Sequence, residues 1–253
     1  MLEQTFHTPL PLTLEVSIPA GEIAVETVEG DQSTVEVTGD ERLLEEVEIR
    51  QDGDRLVVAL RGKSKFGFVV TFGSHVFGNA GLRVRAHVPH GSGVMGKTVS
   101  ADVGIAGRIS ELDLNTTSGD LRVRGEIASD ATVKSVSGDV EVERVGGDLS
   151  LQTVSGDLRA GPVGGSVDTK SVSGDIRLEA LSAGEARFTS VSGDIEIGIA
   201  QGSFLDVDAG STSGDLSSEV PLASAPGDEN GDGPTVVLRG KTISGDVRVF
   251  RAS

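Results

Sequence analysis

The sequence predicts an all-β fold, a parallel β-helix (β-solenoid) of about 18–19 residues per rung. Three observations lead there. The first is a tripeptide, Ser-Gly-Asp, that occurs seven times. The copies are Ser118-Gly119-Asp120, Ser137-Gly138-Asp139, Ser155-Gly156-Asp157, Ser173-Gly174-Asp175, Ser192-Gly193-Asp194, Ser213-Gly214-Asp215 and Ser244-Gly245-Asp246, in steps of 19, 18, 18, 19, 21 and 31 residues. A fixed period of this size marks stacked structural units. The second is period-2 alternation after each copy, as in Leu121-Arg122-Val123, Ile176-Arg177-Leu178 and Val247-Arg248-Val249, which reads as strands with one buried face. The third is a weaker half-repeat between copies, at Gly147-Asp148-Leu149, Gly165-Ser166-Val167 and Gly184-Glu185-Ala186. Each rung therefore carries two strands and two corners.

Each corner has its own chemistry. Gly supplies backbone freedom for a tight bend, and Ser and Asp bond the local backbone. The residue two before Ser is always a hydroxyl: Thr116, Ser135, Thr153, Ser171, Ser190, Ser211, Thr242. The residue between is always β-branched: Thr117, Val136, Val154, Val172, Val191, Thr212, Ile243. Counting by twos from Leu149 and Leu151 turns the hydroxyls inward, and the β-branched column then faces out. Across a corner that parity is not binding, so an outward array of hydroxyls able to hold ice or a polysaccharide stays open. Eight rungs, counting Ser100-Ala101-Asp102, would make a rod of about 35–40 Å. Parallel crossovers favour a right-handed coil.

The repeats resemble those of the SGD-repeat "putative adhesin" family, a domain of unknown function. The resemblance is strong over residues 90–253 and looser before them. It implies a non-enzymatic binding or structural role and, from related proteins, attachment to the bacterial envelope. It assigns no functional residues.

The division expected is a β-rich section over 1–93 that caps or extends the solenoid, then the repeats over 94–253 with an inserted loop at 224–234. In the first section, Leu12–Val16 and Ile23–Thr27 read as strands separated by a turn at Ala20-Gly21-Glu22, and Glu29-Gly30-Asp31 reads as a second turn. Residues 41–46 suit one helical turn. Asp52-Gly53 between two alternating runs is a hairpin signal. Residues 62–81 hold Phe66, Phe68, Phe72 and Phe77 among five glycines. They read either as an end cap or as a projecting apolar loop that contacts a partner.

The net charge of −17 disfavours nucleic acid and anionic lipid. With no Cys there is neither a disulfide nor a thiolate metal site, and no cofactor motif is present. The chain also lacks Tyr and Trp, the usual platforms for sugars and bases. Asp228, Asn230 and Asp232 match the opening of an EF-hand loop, but Arg239 stands where the closing Glu belongs, so the segment reads as an acidic loop and only a weak calcium candidate. His87 and His90 lack further ligands. No nucleophile with a partnered base is apparent.

The Met1–Pro9 segment has no basic start and apolar run, and no apolar stretch is long enough to cross a membrane. A cytoplasmic protein is expected, with envelope association as the alternative. The function expected is a scaffold that presents surfaces to a protein partner or self-associates through a bare end at Val247–Arg251. Adhesin-like glycan binding is the alternative, and a polysaccharide-active solenoid enzyme a remote one.

Overall fold

The computed structural model describes residues 1–61, 81–220 and 233–252. The chain opens with β1 (Leu2–His7), β2 (Thr13–Val28), β3 (Gln32–Gly39), a short helix α1 (Glu41–Glu46), β4 (Val47–Asp52), β5 (Arg55–Leu60), β6 (Leu82–Pro89) and β7 (Gly93–Ile109). Pairs of short strands follow: β8 (Leu112–Asn115) and β9 (Leu121–Ile127), then β10 (Ala131–Lys134) and β11 (Val140–Val142). Next come β12 (Leu149–Gln152) with β13 (Leu158–Val163), β14 (Val167–Lys170) with β15 (Ile176–Leu181), and β16 (Gly184–Thr189) with β17 (Ile195–Ile199). The last are β18 (Phe204–Ser213), β19 (Leu216–Ser218), β20 (Thr235–Ser244) and β21 (Val247–Arg251).

Two parallel ladders run the length of the stack. One joins β7, β8, β10, β12, β14, β16, β20 and β18, and the other joins β7, β9, β11, β13, β15, β17, β21 and β19. Like residues meet in register: Leu121, Val140, Leu158, Ile176, Ile195 and Val247 form one buried column. Inward side chains of both ladders interleave into one continuous apolar core. The parallel solenoid read from the repeats is the fold observed.

The stack is longer than the repeats indicate. β2 pairs in parallel with β7 along Thr13–Glu26, and on its other side with β5 and β6. These rungs lack Ser-Gly-Asp and so escape a search by motif. The turn expected at 20–22 is instead a bend within the continuous strand β2, because the chain coils onward there rather than folding back. Gly21 takes φ +126° at the bend. True reversals occur at Gly30 (φ +111°) and Gly53 (φ +62°). They lead into β3, antiparallel to β6, and β5, antiparallel to β4. Asp40 caps α1, its side chain accepting from the Arg42 N–H at 2.9 Å.

Sequence order and stacking order part company at both ends. At the start, β2 lies between β7 and the β5–β6 rung that follows it in sequence. At the finish, β20 lies between β16 and β18, and β21 between β17 and β19. The bare end expected at Val247–Arg251 is therefore corrected. That strand pairs with β17 along its length and with β19 over Val247–Val249, so among the described residues the outermost rung is β18–β19. The 31-residue step between the last two copies is the cause: the linker is long enough to carry the chain back over one rung.

Candidate functional site

The seven motif copies sit at the corner that joins the two ladders. In six of them the Gly has φ between +112° and +129°, and a Cβ would fall 2.2–2.3 Å from a carbonyl oxygen of the rung below. Only Gly fits there on both grounds. Gly214, on the outermost rung, lies outside the positive-φ set, although a Cβ on it would still meet Gly245 O at 2.2 Å.

The Asp residues form a bonded ladder. Each backbone N–H donates to Oδ1 of the Asp one rung along, from Asp120 to Asp102, Asp139 to Asp120, Asp157 to Asp139, Asp175 to Asp157 and Asp194 to Asp175, all at 2.9–3.1 Å. The ladder follows stacking order, with Asp246 donating to Asp194 and Asp215 to Asp246, both at 2.9 Å. Carboxylates at rung spacing repel one another, and each accepted N–H offsets that repulsion. The opposite corner repeats the device in Asp148 to Asp130 and Ser166 to Asp148, at 2.8 and 2.7 Å. Asp148 beside Gly146-Gly147 is thus engaged with backbone.

The hydroxyl column points inward. Ser135, Thr153, Ser171, Ser190 and Thr242 are buried. All of these except Ser171 donate to the carbonyl of the Ser two residues on, at 3.1–3.2 Å; Ser171 Oγ has no partner. No outward hydroxyl array forms at these positions. The β-branched column faces solvent instead: Val136, Val154, Val172, Val191 and Ile243 are 42–55% exposed. Parity along the strand contained this answer; the corner obscured it.

A shallow groove of about 520 Å³ crosses the outward face of β2, β6, β7 and β9. Its floor includes Ala24, Gly104 and Ala106, and Arg85, His87, Arg122 and Arg124 stand around it. His87 faces Glu26 at 3.6 Å. His90 points elsewhere, its Nδ1 2.7 Å from Thr27 Oγ1. The two histidines are not brought to a common site. Among the described residues no group of three or more His, Asp or Glu is placed to hold a metal ion. Phe66, Phe68, Phe72 and Phe77, and the calcium candidates Asp228, Asn230 and Asp232, lie outside the described residues.

Surface charges are paired across and along the rungs. Arg187 lies 2.8 Å from Glu185, and Arg248 lies 2.6 Å from Glu219. The Arg187 hydrogen bond holds the Glu185 carboxyl below its ordinary value, and the same bond raises Arg187. The Glu219 hydrogen bond likewise raises Arg248. These exposed pairs define no cleft.

A coiled stack with Ser-Gly-Asp corners and an N-terminal section built into the same ladders is the pattern against which known proteins compare. The family model for Toastrack DUF4097 matches residues 12–249. The chain belongs to the Toastrack DUF4097 family. Its match spans the rungs with the motif and those without it. Two solved structures share the Toastrack architecture along nearly their whole length. One is a "putative adhesin" from Bacteroides fragilis NCTC 9343, with TM-score 0.55, 12% identity, and 98% of this chain and 96% of that one covered. The other is a "putative adhesin" from Parabacteroides distasonis ATCC 8503, with TM-score 0.54, 15% identity and the same coverage. At such identities the likeness shows the fold alone. No curated protein matches the sequence. Among the described residues no helix is long and apolar enough to cross a membrane.

Proposed function

We propose that this Toastrack chain is a non-enzymatic binding scaffold whose contact surface is the open end of its solenoid. The occupant is an extended strand of a protein partner, added to β18–β19. One observation carries the reading. Leu216 continues the column Leu121, Val140, Leu158, Ile176, Ile195, Val247, whose members are 0–2% exposed, yet Leu216 is 46% exposed. Among the described residues no strand lies beyond it. An unpaired edge with an apolar position left open is a template for strand addition. Asp206, Asp208 and Asp215 on this rung favour a strand carrying Lys or Arg over a second copy of the same acidic edge.

A fluorescent peptide of alternating Lys and Val tests this by anisotropy. The expected result is binding to the wild type that falls at least tenfold in Leu216→Asp, with slowed hydrogen exchange over residues 204–218. The substitution adds negative charge, so attraction by net charge alone would strengthen binding instead. Equal or tighter binding to Leu216→Asp would sink the reading.

The second reading is adhesion at the cell envelope. What favours it is the description of the two structural neighbours as adhesins. Fractionation of native cells tests it, and recovery of the chain wholly in the soluble cytoplasmic fraction would exclude it.

A further inference from the structure

Strand propensity accounts for β-branching in the outward column but not for its apolarity, since Thr117 and Thr212 fill the same position in two other copies. Val136, Val154, Val172, Val191 and Ile243 occupy one position in five successive rungs of the stack, and each is roughly half exposed. Bridges between Ser137 and Ser155, Ser155 and Ser173, Ser173 and Ser192, and Ser192 and Ser244 fix the residue before each Ser directly above the last. The result is a straight apolar ridge about 19 Å long. Buried hydroxyls on one side and corner glycines on the other do not require valine here. A Thr, Lys or Glu in its place would face water equally well.

The two flanks of the ridge differ in charge. Two residues before it runs the column Lys134, Gln152, Lys170, Thr189, Lys241. Three residues after it runs the Asp ladder. Lys134 and Lys241, and the carboxylates of Asp139, Asp175, Asp194 and Asp246, make no ion pair among the described residues. The ridge is thus apolar along its crest and acidic on one flank at every rung, and basic on the other flank at three rungs of five, where Lys170 also lies 3.1 Å from Asp168 of its own strand.

We propose that this ridge is a lateral seam between two copies of the chain, with the two solenoids side by side and parallel. A partner surface must repeat at rung spacing to meet every crest residue, and a second copy does so by construction. A two-fold axis along the stack sets crest against crest, each valine facing its own counterpart. The same axis sets each basic flank opposite the other copy's acidic flank, on both sides of the seam. The antiparallel alternative would set Lys against Lys and Asp against Asp, a costly juxtaposition. A ridge one residue wide buries well under the roughly 800 Å² per partner of a standard interface, so the dimer is reversible. This seam is separate from the open end at Leu216 and does not depend on the end being occupied.

The natural chain has no Cys, so each introduced thiol is unique. The test uses Val136→Cys, Val154→Cys, Val172→Cys and Val191→Cys, each treated with a short bis-maleimide. Ser129→Cys, at the opposite corner, is the control. The expected result is a covalent dimer of similar yield in all four ridge variants and little in the control. Sedimentation equilibrium should show a wild-type monomer–dimer equilibrium that weakens at least tenfold in the double variant Val154→Lys/Val172→Glu, whose opposite charges are compatible within one column but face like charges across the seam, while its far-UV circular dichroism stays that of the wild type. Cross-linking at only one ridge position would indicate antiparallel rods and overturn the proposal. So would a wild type that stays monomeric, or a control that cross-links equally. Leu216→Asp should leave ridge cross-linking untouched, which separates failure here from failure of the end contact.

Discussion

The two ends of the stack solve one problem differently. At the N-terminal end, β4 and β3 turn back antiparallel onto β5 and β6, and β1 pairs antiparallel with β3. The reversed strands cover the last parallel rung. Leu56 on that rung is fully buried, as are Val35 and Val37 on β3 within the cap. At the C-terminal end, among the described residues, the parallel register stops at β18–β19, where Leu205 on β18 is buried but β19 is not. Its corner glycine leaves the positive-φ conformation, and Leu216 opens to solvent. Reversing strand direction ends a parallel template, whereas stopping in register leaves it ready for another strand.

Corner glycines probe the comparison hardest. Gly245→Ala would place a Cβ 2.2 Å from Gly193 O at φ +125°, in a rung enclosed on both sides. Strain and clash together should cost about 4 kcal/mol in urea unfolding. Gly214→Ala meets the same kind of carbonyl contact, but the outermost rung is free to shift outward. Its cost should be about 1 kcal/mol. Equal costs would mean that the C-terminal rung is as confined as the interior.

Leucines at the two ends come next. Leu56→Ala empties a sealed position and should cost about 3 kcal/mol. Leu216→Ala, at a half-open position, should cost no more than about 1 kcal/mol. Chemical denaturation of both variants measures the contrast, and similar losses would show that the C-terminal end is covered in solution.

How much of this was legible beforehand follows from what repeats. The motif copies gave the solenoid, its period and its corners, because stacking demands like residues above like. The rungs made by β2, β5 and β6 were not legible as rungs. The bend within β2 uses Pro19 and Gly21 rather than Ser-Gly-Asp, and the sequence between β5 and β6 holds no copy of the motif, so only alternation remained, and alternation does not distinguish a coiling strand from a hairpin. The reordering at the C-terminal end was hidden too, since identical motifs carry no information about which copy stacks on which. The length of the 31-residue step was the one available clue. The outward valines were visible but looked wrong, because a β-branched column at a strand end reads as core until the corner turns it outward.

The Asp ladder gives a smaller contrast. Asp246 Oδ1 accepts the Asp215 N–H at 2.9 Å. Asp246→Ala should lose about 1 kcal/mol, as an unsatisfied donor replaces a charge-assisted bond. Asp246→Asn retains an acceptor and should restore most of it. Asp215→Ala removes an acceptor that has no donor among the described residues, and should be close to neutral. Thermal melts of the three variants decide this, and a loss at Asp215 equal to that at Asp246 would place a further strand beyond β18–β19.

The least effect expected concerns acid, at the junction between the regular stack and the inserted rung. Glu185 on β16 accepts from Arg187 at 2.8 Å and lies 3.8 Å from Arg239 on the inserted strand β20. The Arg187 bond is the main cause of its lowered pKa, with the charges of Arg187 and Arg239 adding to it and desolvation opposing. A carboxyl whose folded pKa is depressed stabilises the fold above its unfolded value, and that contribution fades as pH falls through the folded one. The loss should therefore begin near the ordinary value of 4.5 and continue below it. The pair lies at the surface, open to solvent, so the effect is slight and weakens with salt. Melting temperatures of wild type and Glu185→Gln should converge as pH drops through this window and differ by a small constant above it. If the two curves stay parallel down to strongly acid pH, the Glu185 carboxylate, through Arg239, does not help hold the inserted rung to the stack.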